Sequence, residues 1–363
     1  MADETFMRAA LDLARLGRGL VEPNPMVGAV VVKDGQIVAK GWHRRFGGPH
    51  AEAEAIAAAT PAQLQGATVY VTLEPCCHLN KKTPPCAQAL IAAKVARVVA
   101  AIEDPDANVS GRGLSMLRSA GVSVTTGVCQ REARDLLAPY IKLRTQGRPW
   151  VTLKWAQTSD GYLALPAGAP RWISNEASRR HTHGVRALTD VICVGVNTVI
   201  ADDPLLNNRS GAGRQPARLI LDGRLRTPLE CKLANSTDVS PVIIATSAAM
   251  AQSPAASELA GRGVQIAPMP VIGSSIDLGA LLDFLGERQW THLLVEGGPA
   301  VLKSFLRAGL ADELLAYISP VAAGAGAGNL PHFAWADAMA ESGMTVREQL
   351  GFDGDTVLLA RRE

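Results

Sequence analysis

Short β-branched apolar runs alternate with stretches of helical periodicity, twice over, and this alternation limits the chain more than any other feature. In the first half, residues 27–32 (VGAVVV), 68–73, 97–102 and 122–126 read as strands. Asp34-Gly35 is a hairpin signal before a strand through Ile37–Ala39. Between the strands, residues 4–17, an alanine-rich stretch from near His50, 86–94 and the region near 111–119 carry apolar residues at helical spacing. Residues 129–150 are polar and basic, with Pro and Gly, and the pattern breaks there. The alternation then resumes, with strands at 150–156, 190–196, 217–222, 241–246, 291–295 and 312–319 and helices at 175–187, 276–286 and 299–308. Such a pattern predicts α/β layers around a sheet in each half. With 363 residues the chain is expected to form two domains, 1–146 and 147–363. The Ala/Gly stretch at 322–328 lacks a strand–turn–helix context and reads as a loop rather than a dinucleotide fingerprint.

Composition removes several function classes. A net charge of +2 with 4% aromatic residues leaves neither the basic footprint nor the stacking platforms of a nucleic-acid binder. No apolar run reaches the roughly 18 residues of a membrane span. The amino terminus opens acidic, and Asp12 and Arg15 interrupt its apolar stretch, unlike a secretory signal. A soluble cytoplasmic protein with reduced cysteines is therefore expected. Of the six cysteines, Cys76, Cys77 and Cys86 cluster, which points to metal binding or catalysis rather than a disulfide framework.

The chemistry-bearing pattern is Pro49-His50-Ala51-Glu52, then Glu74-Pro75-Cys76, then Pro85-Cys86. One imidazole and two thiolates can hold Zn²⁺ and leave a position for water. Glu52 is then free to move protons. An H-x-E followed by P-C is the signature of zinc-dependent deaminases acting on amino-heterocycles, which usually close with C-x-x-C; here the second cysteine lies ten residues after Cys76. His50 and Glu52 do not share a face of a regular helix, so His50 must sit at the helix cap for both to reach one metal. A closed structural site with Cys77 or His78 as fourth ligand is the alternative. In the second half, Glu296-Gly297-Gly298-Pro299 lies between a predicted strand and helix and fits either an anion site or an ordinary turn. The residues alone thus reach a zinc hydrolase of an amino-heterocycle fused to an α/β domain with a candidate nucleotide site.

Ordered motifs resemble the bifunctional deaminase–reductase family of riboflavin biosynthesis. They are Asn24-Pro25-Met26-Val27-Gly28, Gly41-Trp42-His43, Gly48 to Glu52, Thr72 to Cys76 and Thr83 to Cys86. In the second half they are Lys154 to Gly161, Arg171 to Ser174, Arg186, Val194 to Pro204, Arg209, Leu221-Asp222 and Val295 to Pro299. The resemblance implies a cytidine-deaminase-like three-layer first domain, with zinc ligands His50, Cys76 and Cys86 and Glu52 as proton shuttle. It implies a dihydrofolate-reductase-like second domain using NADPH. There the cofactor would touch Ala156, Trp172, Thr198, Asp202, Gly223, Gly298, Pro299, Ala300, Val301, Leu302, Lys303 and Ser304. A sugar-phosphate substrate would touch Pro170, Arg186, Leu206, Arg209 and Glu296, with arginine forks suited to phosphate. Lys154, Asp202 and Glu296 are candidates for polarising or protonating groups. The implied sequence is deamination of a diaminopyrimidinone ribosyl phosphate, then reduction of its ribosyl group to ribityl, in a homo-oligomer with no nucleic-acid or membrane partner. A deaminase with a non-catalytic second domain is the alternative.

This sequence departs from the family pattern at the cysteine loop, CCHLNKKTPPC, which has Cys77 for Ser, no Gly and one extra residue. Asn80 can replace Gly where a left-handed residue is needed. His43, Asn24, Lys82 and Thr83 are expected near the pyrimidine and phosphate. Pro170 and Gly223 stand where the family often has Ser, leaving backbone contact only, and Thr158 replaces a further Ser.

Overall fold

Apolar β-branched runs form the strands, and amphipathic segments cover them as helices. The computed structural model describes residues 2–77, 85–106, 109–170, 172–273 and 275–362. The chain divides into two units, 1–147 and 148–363.

The first unit runs α1 (Ala2–Arg15), β1 (Gly28–Lys33), β2 (Gln36–Trp42), α2 (Ala51–Ala57), α3 (Pro61–Leu64), β3 (Thr68–Val71), α4 (Cys86–Ala92), β4 (Arg97–Ala100), α5 (Arg112–Ser119), β5 (Ser123–Thr126) and α6 (Gln130–Gln146). Among the described residues these strands form a five-stranded sheet in the order β2-β1-β3-β4-β5. β1 is antiparallel to β2 and β3, while β3, β4 and β5 run parallel. β1 is buried on both faces because α1 and α2 both pack against it. Gly28 makes the α1 contact close: a Cβ there would lie 2.0 Å from the Ala10 carbonyl oxygen.

The polar stretch at 129–150, where the pattern breaks, is largely helical. It forms the 17-residue α6, which carries Pro139 in its interior and ends at Gly147 in left-handed conformation. Ala133, Leu137 and Tyr140 recur at helical spacing and join the first unit's core. The charged outer face and the proline masked that stripe in the sequence.

The second unit runs β6 (Trp150–Gln157), α7 (Glu176–Ala187), β7 (Val191–Gly195), α8 (Val196–Asp202), β8 (Ala217–Leu221), β9 (Val242–Ser247), α9 (Pro254–Gly261) and β10 (Gln265–Met269). A small hairpin, β11 (Val271–Ile272) and β12 (Ser275–Ile276), follows. Then come α10 (Leu278–Glu287), β13 (His292–Val295), α11 (Pro299–Arg307), β14 (Glu313–Ile318), α12 (Trp335–Ser342), β15 (Thr345–Phe352) and β16 (Asp355–Arg361). The nine-stranded sheet has the order β10-β9-β8-β7-β13-β6-β14-β16-β15 among the described residues. It is parallel from β10 to β14 and antiparallel through β16 and β15. One face packs on Leu281, Leu285, Leu302 and Phe305 of α10 and α11. The other packs on Val196 and Val199 of α8 and Leu259 of α9.

Acidic side chains close the amino edge of this sheet. Asp190 Oδ2 accepts from the Thr291 amide, the Thr291 hydroxyl and the His292 amide at 2.8, 2.7 and 2.9 Å. Asp312 Oδ2 accepts from the Val151 amide at 2.7 Å. The carboxyl edge is left for loops, which is where parallel sheets place their sites.

Candidate active sites

In the first unit, His50 is the N-cap of α2, with extended backbone (φ −75°, ψ 161°), so its ring stands outside helical geometry. This frees His50 and Glu52 to approach the same point. Pro85 caps α4, and Cys86 opens it. Cys76 lies in the segment after β3. The three ligand atoms lie within 4.8 Å of one another. His50 Nδ1 is 3.6 Å from Cys76 Sγ and 3.4 Å from Cys86 Sγ, and the Cys86 amide donates to Cys76 Sγ at 3.4 Å. Hydrogen bonds from Cys86 hold the Cys76 thiol far below its ordinary value, and the same contact with Cys76, together with burial, pushes Cys86 up. One imidazole and two convergent sulfurs suit Zn²⁺, so the donor set fits the metal that the sequence implies. Cys77 is half-buried and outside this cluster. His78, Asn80, Lys82 and Thr83 lie outside the described residues.

Glu52 is 3% exposed, and burial pushes its carboxyl up to about 7. It shares a cavity with Asn24, His43, His50, Cys76 and Asp104. His43 is buried: its Nδ1–H donates to the Pro49 carbonyl at 2.8 Å, and Asn24 Nδ2 donates to its Nε2 at 3.4 Å. Two of the four weaker sequence candidates, His43 and Asn24, therefore meet beside the metal ligands.

Glu74 of the Glu-Pro-Cys motif is an anchor. Its Oε2 accepts from the Asp104 and Gly111 amides at 3.1 and 2.8 Å. Its Oε1 accepts from the Gly113 and Leu114 amides at 2.8 and 3.3 Å. This holds the start of α5 against the segment that carries Cys76. A Cβ at Gly113 would lie 2.0 Å from the Pro75 carbonyl oxygen. Sequence reasoning missed Asp104 and Tyr140 as cavity residues. Burial raises the Asp104 carboxyl, which accepts the Tyr140 hydroxyl at 3.0 Å. An Asp just past the carboxyl end of a strand was the available signal.

In the second unit the candidates gather at the carboxyl ends of parallel strands. Arg186 of α7 forms a two-pronged ion pair with Glu296, which follows β13, at 2.7 and 2.8 Å. Its Nη1 donates to the Asn207 carbonyl at 3.1 Å, next to Leu206. The fork expected for phosphate is thus engaged by the Glu296 carboxylate. Lys154 of β6 reaches Glu296 Oε2 at 3.7 Å. Burial alone would raise Glu296, but Arg186 and Lys154 more than offset it and hold the carboxyl at about 2. Burial pulls the Lys154 ammonium down. Arg209 is exposed, and its amide donates to His183 Nδ1 at 3.2 Å.

Thr198 Oγ1 accepts from the Gly298 amide at 3.2 Å, joining α8 to the start of α11. Gly298 caps α11 and Pro299 is its first residue. Ala300 is exposed there, and Val301 closes over Gly195 and Gly297. Further along, Lys303 is half-buried and Ser304 exposed. Leu302 faces the core, fully buried, so its side chain has no surface left for a cofactor. Ala156 borders a small core around Tyr317. Gly223 follows β8, and its carbonyl accepts from Ser247. Asp202 is exposed at the end of α8, and Pro170 is exposed. Trp172 is exposed under the Arg179 guanidinium, 5.4 Å from the ring centroid. Arg171 lies outside the described residues. Asp160 of the family-like Asp-Gly pair is structural: it accepts from Thr158 Oγ1 and the Ala323 and Gly324 amides at 2.6, 2.9 and 2.9 Å.

Residues 1–102 match the cytidine and deoxycytidylate deaminase zinc-binding region, and residues 149–332 match the RibD C-terminal domain. The riboflavin biosynthesis protein RibD of Aquifex aeolicus is 44% identical over 325 residues, covering 89% of this chain and 88% of that protein. The Escherichia coli protein of that name is 39% identical over 340 residues, covering 91% of each. A diaminohydroxyphosphoribosylaminopyrimidine deaminase/5-amino-6-(5-phosphoribosylamino)uracil reductase structure from Thermotoga maritima superposes with a TM-score of 0.85 at 35% identity, covering 100% of this chain and 99% of that one. An Acinetobacter baumannii RibD structure gives 0.84, also at 35% identity, with 100% and 99% covered. No helix among the described residues is long and apolar enough to cross a membrane. With a zinc-site triad in one unit and a reductase fold in the other, the chain belongs to the RibD family of bifunctional deaminase–reductases of riboflavin biosynthesis.

Proposed function

We propose that residues 1–146 hydrolyse 2,5-diamino-6-(5-phosphoribosylamino)pyrimidin-4(3H)-one to the aminouracil and ammonia. Residues 147–363 then reduce the ribosyl group with NADPH, giving 5-amino-6-(5-phosphoribitylamino)uracil. The convergence of His50, Cys76 and Cys86 beside buried Glu52 carries this reading. The T. maritima protein bears both activities in its name.

His50, Cys76 and Cys86 would hold zinc, which supplies a water of lowered pKa. Glu52 takes the proton that water loses, and delivers protons to the ring nitrogen and the departing amine. Its raised affinity for a proton suits a group that both accepts and returns one. His43, fixed as the Nδ1–H tautomer by the Pro49 carbonyl, and Asn24 hold the pyrimidine edge.

In the second unit, NADPH would lie along Ala156, Trp172, Thr198, Asp202, Gly223 and the start of α11, and supply hydride to C1′ of the ring-opened imine. Thr198 fixes the Gly298 amide at the α11 N-terminus, where an anion is favoured. Glu296 keeps Arg186 oriented, exposed Arg209 takes the substrate phosphate, and Lys154 polarises the reacting imine. Pro170 and Leu206 border the sugar phosphate. The enzyme is expected to be a cytoplasmic homo-oligomer.

The test is one assay on zinc-loaded protein with the diaminopyrimidinone ribosyl phosphate and NADPH. Ammonia release matched by NADPH loss is expected. Ammonia without NADPH loss would leave the second unit a binding domain, and no ammonia would refute the substrate assignment.

A further inference from the structure

Lys154 and Tyr317 stand on one face of the sheet. Lys154 pairs in register with Leu315 on β14, and Ala156 pairs with Tyr317, so Lys154 and Tyr317 are diagonal neighbours. Lys154 Nζ lies 5.2 Å from the Tyr317 ring centroid. That is inside the ~6 Å over which a ring face attracts a cation. The charged groups facing this ammonium are Glu296 from the loop after β13 and Arg186 from α7. Glu296 is already held on both oxygens by Arg186, so the ammonium has a shared carboxylate, a repelling guanidinium and a ring face.

Tyr317 is fully buried, and its orientation is fixed at the far end. Its hydroxyl lies 2.8 Å from His181 Nδ1 on α7. The His181 ring in turn packs on Phe352, with centroids 5.0 Å apart and planes at 30°. Asn175, the N-cap of α7, ties the helix to the same turn: its amide donates to Asp355 Oδ2 at 2.9 Å and its Nδ2 to the Phe352 carbonyl at 2.5 Å. A tyrosine buried only for packing needs a hydroxyl partner. This one also turns its ring face to a buried cation.

We propose that Tyr317, anchored by His181, is a positioning residue for the reductase step, its ring holding the Lys154 ammonium at the carboxyl edge of β6. The inference rests on Lys154 acting in reduction as assigned above. Losing the ring removes an attraction that favours the charged lysine, so reduction should weaken and lose its rate at lower pH than in the parent enzyme.

The experiment uses the full-length, zinc-loaded enzyme. Reduction of the deaminated substrate is followed by NADPH absorbance across pH, with cooperative denaturant unfolding of the second unit as the control for folding. Tyr317→Phe keeps the ring and loses only its hydroxyl anchor, so it should stay within about twofold of wild type, its limb moving no further than in His181→Phe. Tyr317→Leu should lower kcat about tenfold with KM nearly unchanged and move the alkaline limb down by about one pH unit. His181→Phe keeps the stack on Phe352 but removes the His181 contact with the hydroxyl, leaving Thr182 as its partner, and should move the limb the same way by a smaller amount. An unmoved limb in Tyr317→Leu, or an equal loss in Tyr317→Phe, overturns the proposal. If Tyr317→Leu fails to unfold cooperatively, His181→Phe decides: a shifted limb supports the proposal and an unmoved one overturns it. Lys154→Met separates the two layers. Full reduction by that variant sinks the lysine assignment itself, whereas a dead Lys154→Met beside an unmoved limb in Tyr317→Leu sinks only the role of Tyr317.

Discussion

In the first unit, three ligand atoms from separated segments meet within 4.8 Å, and a buried carboxylate waits in the first turn of α2. In the second, the candidates are strung along the carboxyl ends of parallel strands, and the charged ones mainly satisfy one another. The first arrangement makes sense only with something bound, since two thiols and an imidazole packed together stabilise little alone. The second is already complete as structure: Arg186, Glu296 and Lys154 would be buried and paired whether or not a substrate came. A metal site is concentrated in a few side chains, whereas a dinucleotide site is spread over backbone and shape.

The contrast can be broken by substitution, and the largest effect belongs to the ligands. Cys76→Ser should lose bound zinc and lower ammonia release by at least about 10³-fold, while NADPH oxidation with the deaminated substrate persists; metal analysis beside the two assays reads this out. Chelation of the parent enzyme should reproduce it, and equal loss of both activities would mean that the units are not independent. Glu52→Gln should keep its zinc and lose about 10²- to 10⁴-fold in deamination. Retained activity at full zinc would remove Glu52 from the proton path.

Smaller effects sharpen the second site. Glu296→Gln strands Arg186 in a buried setting and should cost about 3 kcal/mol in denaturant unfolding of the second unit. The sign of the pH dependence follows from Glu296 lying below its ordinary value. Its stabilisation is complete above about 4.5 and is lost as pH falls through about 2, so the parent should lose stability across that window more steeply than Glu296→Gln. Thr198→Val removes one hydrogen bond to the start of α11 and should cost about 1 kcal/mol, with a rise in KM for NADPH and little change in ammonia release.

The zinc triad was legible because His, Cys and Cys beside Glu and Pro are chemically unusual at that spacing, and the cap position demanded of His50 is the one it takes. Asp104 offered only its place just past a strand's carboxyl end, since nothing else local marks an aspartate as facing a cavity built by segments from other parts of the unit. α6 was hidden by its charged face and Pro139. The antiparallel pair β15–β16 was missed although Asp353-Gly354 between them, both at positive φ, is a strong hairpin signal. Its outer strand is half-exposed and charged, which weakens the alternation that would have exposed it. Leu302 shows the limit of carrying positions over: it lies in the segment expected to meet the cofactor, but a helix turns each successive residue by a large angle, and this one points into the core.

The Glu74 carboxylate, saturated by four amides from residues 104 to 114, has a bearing on how this scaffold can diversify. The same short segment that presents Cys76 also fixes the opposite wall of the cavity. Lengthening or shortening that wall would pull on a metal ligand. New substrates should therefore be reached by exchanging side chains along the wall, with insertions tolerated only where no amide is clamped.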